Sequence, residues 1–231
     1  MIPLRDNIPS FRRPYVNFVI IGVTALFFLW ELSLGQLLPR AIEILGFVPG
    51  RFLQFLWSGQ VSLSVTFFPL LTSIFLHGGW LHLLGNLWFL YIFGDNVEDV
   101  LGHWRYLALY LLSGVGANLI YLLFSPYSRI PLVGASGAIA GVMGAYFVLF
   151  PGARVFTLVP IFILVTFMEI PAYIFLGFWF VMQFLFGAFS TVGPQQAGGV
   201  AWWAHVGGFL VGILLLLIME PGLVKRRFRG W

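Results

Sequence analysis

The chain has 231 residues, 60% of them hydrophobic and only 9% charged, with a formal net charge of +4. A soluble domain carries about 25% charged residues, so a water-exposed fold is excluded and lipid must solvate the outside. There is no cysteine, which removes disulfides, thiolate nucleophiles and cysteine-based zinc sites.

A transmembrane helix takes about 20 mostly apolar residues. An N-terminal segment, residues 1–15, carries Arg5, Arg12 and Arg13, and the first span then runs from about Val16 to Leu34. No small-residue cleavage site follows it, so it reads as a retained span. A long loop with Arg40, Glu43 and Arg51 comes next. The run Val61 to Gly94 is too long for one span, and Pro69 and Gly78-Gly79 interrupt it. It divides into a membrane-embedded stretch at about 61–77 and a second span at about 80–97. The third span lies at about 104–124, and the fourth starts near Ser136 and ends at Phe150, just before Pro151-Gly152. The run Val155 to Phe189 breaks at Glu169-Ile170-Pro171, giving an interfacial stretch at 155–168 and a fifth span at about 170–189. The sixth span is about 202–219, followed by a basic tail, 221–231, with Lys225, Arg226, Arg227 and Arg229. The expected fold is an all-α polytopic membrane bundle of six transmembrane helices, a single domain over residues 1–231. A helix satisfies its own backbone in lipid, and no alternating barrel pattern competes with it.

Six spans put both termini on one side. Arg5, Arg12, Arg13, Arg105, Arg154, Lys225, Arg226, Arg227 and Arg229 fall there, against Arg40, Arg51 and Arg129 on the other. That excess makes the termini cytoplasmic. Both basic clusters abut apolar segments, which favours anchoring beside a membrane over a nucleic-acid footprint. The partner implied is the lipid bilayer, and no nucleic acid is expected.

The fourth span is short. About 15 residues at 1.5 Å each reach roughly 22 Å, less than the roughly 30 Å hydrocarbon core. A helix that ends at the cytoplasmic face therefore begins below the outer surface, at Gly134-Ala135-Ser136-Gly137. Irregular backbone at that depth requires protein or a water-filled cavity beside it. With six spans, His82, Ser136 and His205 share one depth near the outer ends of spans two, four and six.

Ser136 reads in two ways. It is an ordinary helix N-cap, or a nucleophile at a submerged helix start whose free N–H groups hold an oxyanion. His205 sits in Ala204-His205-Val206-Gly207-Gly208. A polar residue in a span faces the bundle interior and is a functional candidate. Gly208 and Gly212 lie on its stripe, and Gly137, Gly141 and Ala145 make a matching stripe on span four. Such stripes let two helices touch closely, which brings Ser136 and His205 together; the plain alternative is packing with an incidental histidine. His82 and Asn86, four apart, share a face and serve either as interhelical hydrogen bonders or as oxyanion donors. A metal pair there lacks a third ligand and an HExxH pattern. His77 reads as structural, His103 as solvated, and Asp95, Glu98 and Asp99 as a cluster that holds loop geometry.

The stretches His77-Gly78-Gly79-Trp80-Leu81-His82-Leu83-Leu84-Gly85-Asn86, Gly94-Asp95-Asn96-Val97-Glu98-Asp99, Gly134-Ala135-Ser136-Gly137-Ala138 and Ala204-His205-Val206-Gly207-Gly208 together resemble the rhomboid family. The likeness covers about residues 15–220. It implies an intramembrane serine endopeptidase with a Ser–His dyad: Ser136 as nucleophile, His205 as general base and then acid, and the Ser136 N–H, Asn86 and His82 as oxyanion donors. It also implies transmembrane protein substrates cut near their outer ends, no cofactor and no metal, and a multi-pass place in a bacterial cytoplasmic membrane. The alternative within the resemblance is an inactive client-binding protein. Some members carry an aromatic residue four positions after the nucleophile, stacked on the histidine; here that position is Ala140, so another group must orient His205. Some carry a Trp-Arg pair in the first outer loop, which this chain lacks. No appended seventh span or soluble extension is expected. A substrate helix is expected to enter sideways between spans two and five, with Phe175 and Trp179 on one face of span five as the gate.

Overall fold

In the computed structural model, which describes residues 1–58, 66–161, 164–192 and 200–222, the long apolar runs become six helices. Span one is Tyr15–Ser33, span two Trp80–Leu101, span three His103–Phe124, span four Ser136–Leu149, span five Ala172–Val192 and span six Trp202–Met219. The start of the embedded stretch, 61–65, and the basic tail from 223 onward lie outside the described residues. Spans one, three, five and six are each long and apolar enough to cross a membrane. Span two is as long but carries Asp95, Glu98 and Asp99 in its last turns, and span four has only 14 residues. The bundle is inverted relative to a soluble fold. Phe18, Leu26, Leu119, Phe178 and Leu214 are exposed, while Asn17, Thr24, Ser113, Asn118 and Gln183 are buried. Apolar surface outside and polar side chains inside is what a lipid solvent selects. The molecule is an integral, multi-pass membrane protein.

Span four is the axis of the bundle. Spans two, three, five and six all pack on it, and every residue from Gly137 to Tyr146 is buried. Its N-terminal approach is pinned from the side. The Gly134 N–H donates to the Ser73 carbonyl at 2.9 Å, and Asn118 of span three donates to the Leu70 carbonyl at 2.8 Å and to Ser73 Oγ at 2.9 Å. The embedded stretch before span two therefore braces the start of span four. An antiparallel bridge, Phe47 to Leu132, ties the first loop to the same approach.

At the face bearing the termini, the acidic cluster has a specific use. Span one begins after Pro14 with no side-chain cap, leaving orphan N–H groups. The Glu98 carboxylate accepts from the Val16 N–H at 2.9 Å and the Asn17 N–H at 2.7 Å. Asp99 accepts from the N–H groups of Phe11 and Arg12, and Asp95 from Ser10 Oγ at 2.7 Å. Asn96 donates to the Ile8 carbonyl at 3.0 Å. A side chain at Gly94 would strike Asn17 and the Tyr106 hydroxyl. The whole Gly94–Asp99 motif thus docks the N-terminal segment onto span two. His103 is not simply solvated: its Nδ1 lies 2.5 Å from Glu98 Oε1 and its ring packs on Tyr15.

The chief departure from an all-helical chain is an antiparallel sheet in the order β1 (Ile2–Asp6), β2 (Arg154–Ile161), β3 (Leu164–Pro171). The interfacial stretch expected at 155–168 forms most of its hairpin. Val155, Phe156, Thr157, Val159, Val165, Thr166 and Phe167 are residues that fit a pleated surface. Val155 and Thr157 alternate inward to burial, and Trp88 fastens β1 to span two by donating to the Pro3 carbonyl at 2.6 Å.

Asp6, at the end of β1, accepts the Tyr146 hydroxyl of span four. Burial pushes its carboxyl up to about 6, against the hydrogen bond from Tyr146, and the nearby Asp95 raises it further. The unfolded carboxyl titrates near about 4. The folded state therefore gains from the neutral form below about pH 4 and loses that gain as pH rises through about 6. We expect the thermal midpoint of the wild type in detergent to fall, relative to Asp6→Asn, between pH 4 and pH 7. A difference between the two that stays flat over that range would show that Asp6 does not titrate with unfolding.

Candidate active site

The site is built where spans four and six touch backbone to backbone. A Cβ on Gly208 would lie inside van der Waals contact of the Gly137 carbonyl, and one on Gly212 would do the same to the Gly141 carbonyl. On the span-four side, a Cβ on Gly141 would strike Ser113 of span three, and one on Gly137 would come within 2.6 Å of Ala117. The two small stripes are therefore packed together, with span three closing over them. Their upper ends carry Ser136 and His205.

Ser136 is the first residue of span four. The N-cap is Ala135, and no side chain caps the helix. The hydroxyl turns instead to His205, whose Nε2 lies 2.8 Å from Ser136 Oγ. The capping reading of Ser136 therefore does not describe this residue. Its N–H, at the first helical position, has no partner four residues back. Both Ser136 and His205 are half-buried, so the pair lies under cover without being sealed.

His82 meets the same place from span two. Gly134, at φ +132°, lies so close to it that a Cβ would sit 2.7 Å from His82 Cε1 and 2.8 Å from Nε2, with Ser136 Oγ 3.6 Å away. Only glycine fits here, on both backbone and steric grounds. The Gly78 N–H reaches His82 Nδ1 at 3.5 Å, which leaves Nε2 as the protonated nitrogen, facing Gly134 and Ser136. Asn86, one turn further on, is tied to His77. The His77 Nδ1–H donates to the Phe75 carbonyl at 3.2 Å, so its Nε2 accepts from the Asn86 amide at 2.9 Å. That bond uses one amide hydrogen of Asn86 and leaves the second for another acceptor. The His77 ring is 5.1 Å from His82, and the His77 backbone N–H donates to buried Glu31 of span one at 3.1 Å. The structural role expected of His77 is thus visible in its bonds, and Asn86 reaches the site through His77 and His82.

The two residues of span five expected at the gate face different neighbours. Phe175 is buried and packs on Phe93 of span two, at 6.3 Å between centroids. Trp179, four residues on, turns to span six, where its ring lies 5.9 Å from His205 and 6.2 Å from Phe209. They share a helix face but touch different neighbours. A third member of that face, Gln183, was not anticipated from sequence. Its Oε1 lies 2.7 Å from His205 Nδ1. The available signal was an amide in the middle of an apolar helix, which by itself marks a functional candidate.

The family model for the rhomboid domain matches residues 64–221. Over 223 residues, 92% of this chain, the sequence is 27% identical to Rhomboid protein 1, mitochondrial, of Saccharomyces cerevisiae, covering 55% of that protein. It is 45% identical over 75 residues to Rhomboid-like protein 11, chloroplastic, of Arabidopsis thaliana, covering 32% of this chain and 26% of that one. It is also 45% identical over 76 residues to Rhomboid protease GluP of Bacillus subtilis, covering 33% of this chain and 14% of that one. The match spans about half of the yeast protein, and less of the other two.

The glycine contacts set a test of the site's frame. Gly212→Ala forces spans four and six apart, at an overpacking cost of about 1–3 kcal/mol. The same change at Gly85 or Gly22 meets nothing within 4 Å. We expect Gly212→Ala to lower the thermal midpoint in detergent by several degrees while the two control variants match or exceed the wild type. Equal midpoints for all three would mean that spans four and six are not in backbone contact.

Proposed function

The chain belongs to the rhomboid family, and from that premise we propose that it is an intramembrane serine endopeptidase that cuts the transmembrane helices of other membrane proteins. The observation that carries the reading is the 2.8 Å approach of His205 Nε2 to Ser136 Oγ at a submerged helix start. In the proposed reaction His205 Nε2 takes the Ser136 proton as Oγ attacks the scissile carbonyl carbon. The tetrahedral oxyanion takes hydrogen bonds from the Ser136 N–H, from the His82 Nε2–H and from the second amide hydrogen of Asn86. Collapse breaks the carbon–nitrogen bond, and His205 returns its proton to the leaving amine. Water, deprotonated by the same imidazole, then adds to the acyl carbon, the bond from that carbon to Ser136 Oγ breaks, and His205 returns the proton to Oγ. The rival reading, an inactive membrane client-binding protein, assigns no task to a serine hydroxyl turned away from capping and toward an imidazole.

A substrate helix cannot reach a submerged serine from above without leaving the bilayer, so neighbouring spans must part. Spans four and six are locked by their glycines, which supports access between spans two and five. Phe175 on Phe93 is the contact that holds this side. Trp179 rests on the proposed base, so its removal is expected to slow turnover by loosening His205.

The first test is labelling of the detergent-purified protein by a fluorophosphonate. We expect Ser136 to be labelled, His205→Ala and Ser136→Ala to be equally inactive on a transmembrane substrate, and the double variant to be no worse, because residues acting as one unit are not additive. A wild type that never labels, with intact fold, would favour the client-binding reading. The second test is Asn86→Ala. Loss of one oxyanion donor is expected to lower kcat by about 10²–10³-fold with KM little changed. A rise in KM alone would make Asn86 a docking or structural residue.

A further inference from the structure

We propose that Gln183 is the positioning residue of this site: its side-chain oxygen holds the His205 Nδ1–H, which keeps Nε2 unprotonated and aimed at Ser136. The inference rests on the reading of Ser136 and His205 as nucleophile and base, and it names what orients that base.

Three observations carry it. First, the geometry is that of a short, direct bond. Gln183 Oε1 is 2.7 Å from Nδ1 while Ser136 Oγ is 2.8 Å from Nε2, so both ring nitrogens are bonded, on opposite sides, by different helices. An amide oxygen only accepts, which requires the proton on Nδ1 and the lone pair on Nε2. This is the tautomer a general base needs. Second, Gln183 is buried, at 7% exposure, and it is the one amide side chain in Ala172–Val192. A buried amide is kept in an apolar helix only where its polar atoms are used. Third, span four offers no ring four residues after Ser136, where Ala140 stands. Trp179, at 5.9 Å and 33°, and Trp202, at 6.3 Å and 90°, flank the imidazole instead. With Gln183 they fix its plane, and none of the three groups comes from span four.

An amide differs from a carboxylate in this place. It fixes the tautomer but brings no net charge, so on its Nδ1 side the imidazolium formed during the reaction is met by a dipole rather than by an anion. Adding the charge has a defined consequence: a carboxylate at the same position favours the protonated ring and moves the pH at which the base becomes active upward.

The experiment compares Gln183→Met, which keeps length and removes the acceptor, with Gln183→Glu, which keeps the acceptor and adds charge. Fluorophosphonate labelling and cleavage of a transmembrane substrate are measured across pH, together with the 15N spectrum of histidine-labelled protein in detergent, in which the His205 signals are identified by their loss in His205→Ala. In the wild type the His205 Nδ1 is expected to be the protonated nitrogen. Gln183→Met is expected to give a mixture of tautomers and to lower the labelling rate and kcat at least tenfold with KM unchanged. Gln183→Glu is expected to recover much of the rate, with the acid limb of its pH profile displaced upward by a unit or more. Gln183→Met that labels at the wild-type rate with an unchanged tautomer would overturn the proposal, leaving Gln183 a packing residue. If Gln183→Met does not fold, an unshifted acid limb in Gln183→Glu overturns it equally. A wild type that never labels, yet shows the Nδ1 tautomer and its loss in Gln183→Met, would sink the protease reading and leave the positioning role standing.

Discussion

The backbone contact between spans four and six is the constraint on which the rest depends. Gly137 and Gly141 lie against Gly208 and Gly212 with no side chain between them. Helix association in lipid has no hydrophobic drive and relies on such close packing and on interior polar bonds. This contact sets the separation of Ser136 and His205, because both residues ride on the same rigid pair of helices. It also requires span four to be small-sided, because larger residues would push His205 out of reach of Ser136. The embedded stretch that ends at His77 and the bridge at Phe47–Leu132 wall the start of span four.

Much of this was legible in the sequence because hydropathy is a long-range average. Runs of apolar residues broken by Pro171 and Gly78-Gly79 locate six spans to within a few residues, and the shortness of span four singles out its N-terminal end. The matched small stripes give the pairing of spans four and six. Other features were not legible, because each depends on where a single side chain points. Span one starts at Tyr15 without a capping residue, and only the fold reveals that Glu98, far along the chain, supplies the missing acceptor. The pattern Val155–Thr157 reads equally as an apolar interface or a strand until β1 is seen to pair with it. Trp179 and Phe175 share a face by spacing, yet one meets span six and the other span two.

Much of the polar interior follows one logic. Asn17 donates to the Leu90 carbonyl and accepts the Tyr106 hydroxyl. Asn118 holds Leu70 and Ser73, and Glu31 holds the His77 N–H. Each is a side chain that costs free energy in hydrocarbon and is retained where a backbone group or a second span needs a partner. These bonds tie irregular segments, namely the span-one start and the embedded stretch, to the regular helices. Irregular backbone is permitted at membrane depth only on that condition.

Span five is the exception to this rigidity, and its attachments explain why it matters. At its base it is held by Phe175 on Phe93 and by the N–H of Ala172 on the Ala153 carbonyl at 2.7 Å. In its middle it is held by Trp179 on His205 and Phe209, and by Gln183 on His205. Spans four and six touch backbone to backbone, whereas span five meets span six through large side chains and the Gln183 hydrogen bond. The position of span five and the orientation of His205 are therefore coupled. An outward swing of span five large enough to admit a helix would break the Gln183 bond and free the imidazole to rotate, while a smaller shift at the Phe175–Phe93 contact would leave it intact. A neutral amide suits this arrangement better than a carboxylate, because a carboxylate parted from its histidine would be stranded as an unpaired charge in a low-dielectric interior. An amide can let go and rejoin at the cost of one hydrogen bond, about 0.5–1.5 kcal/mol.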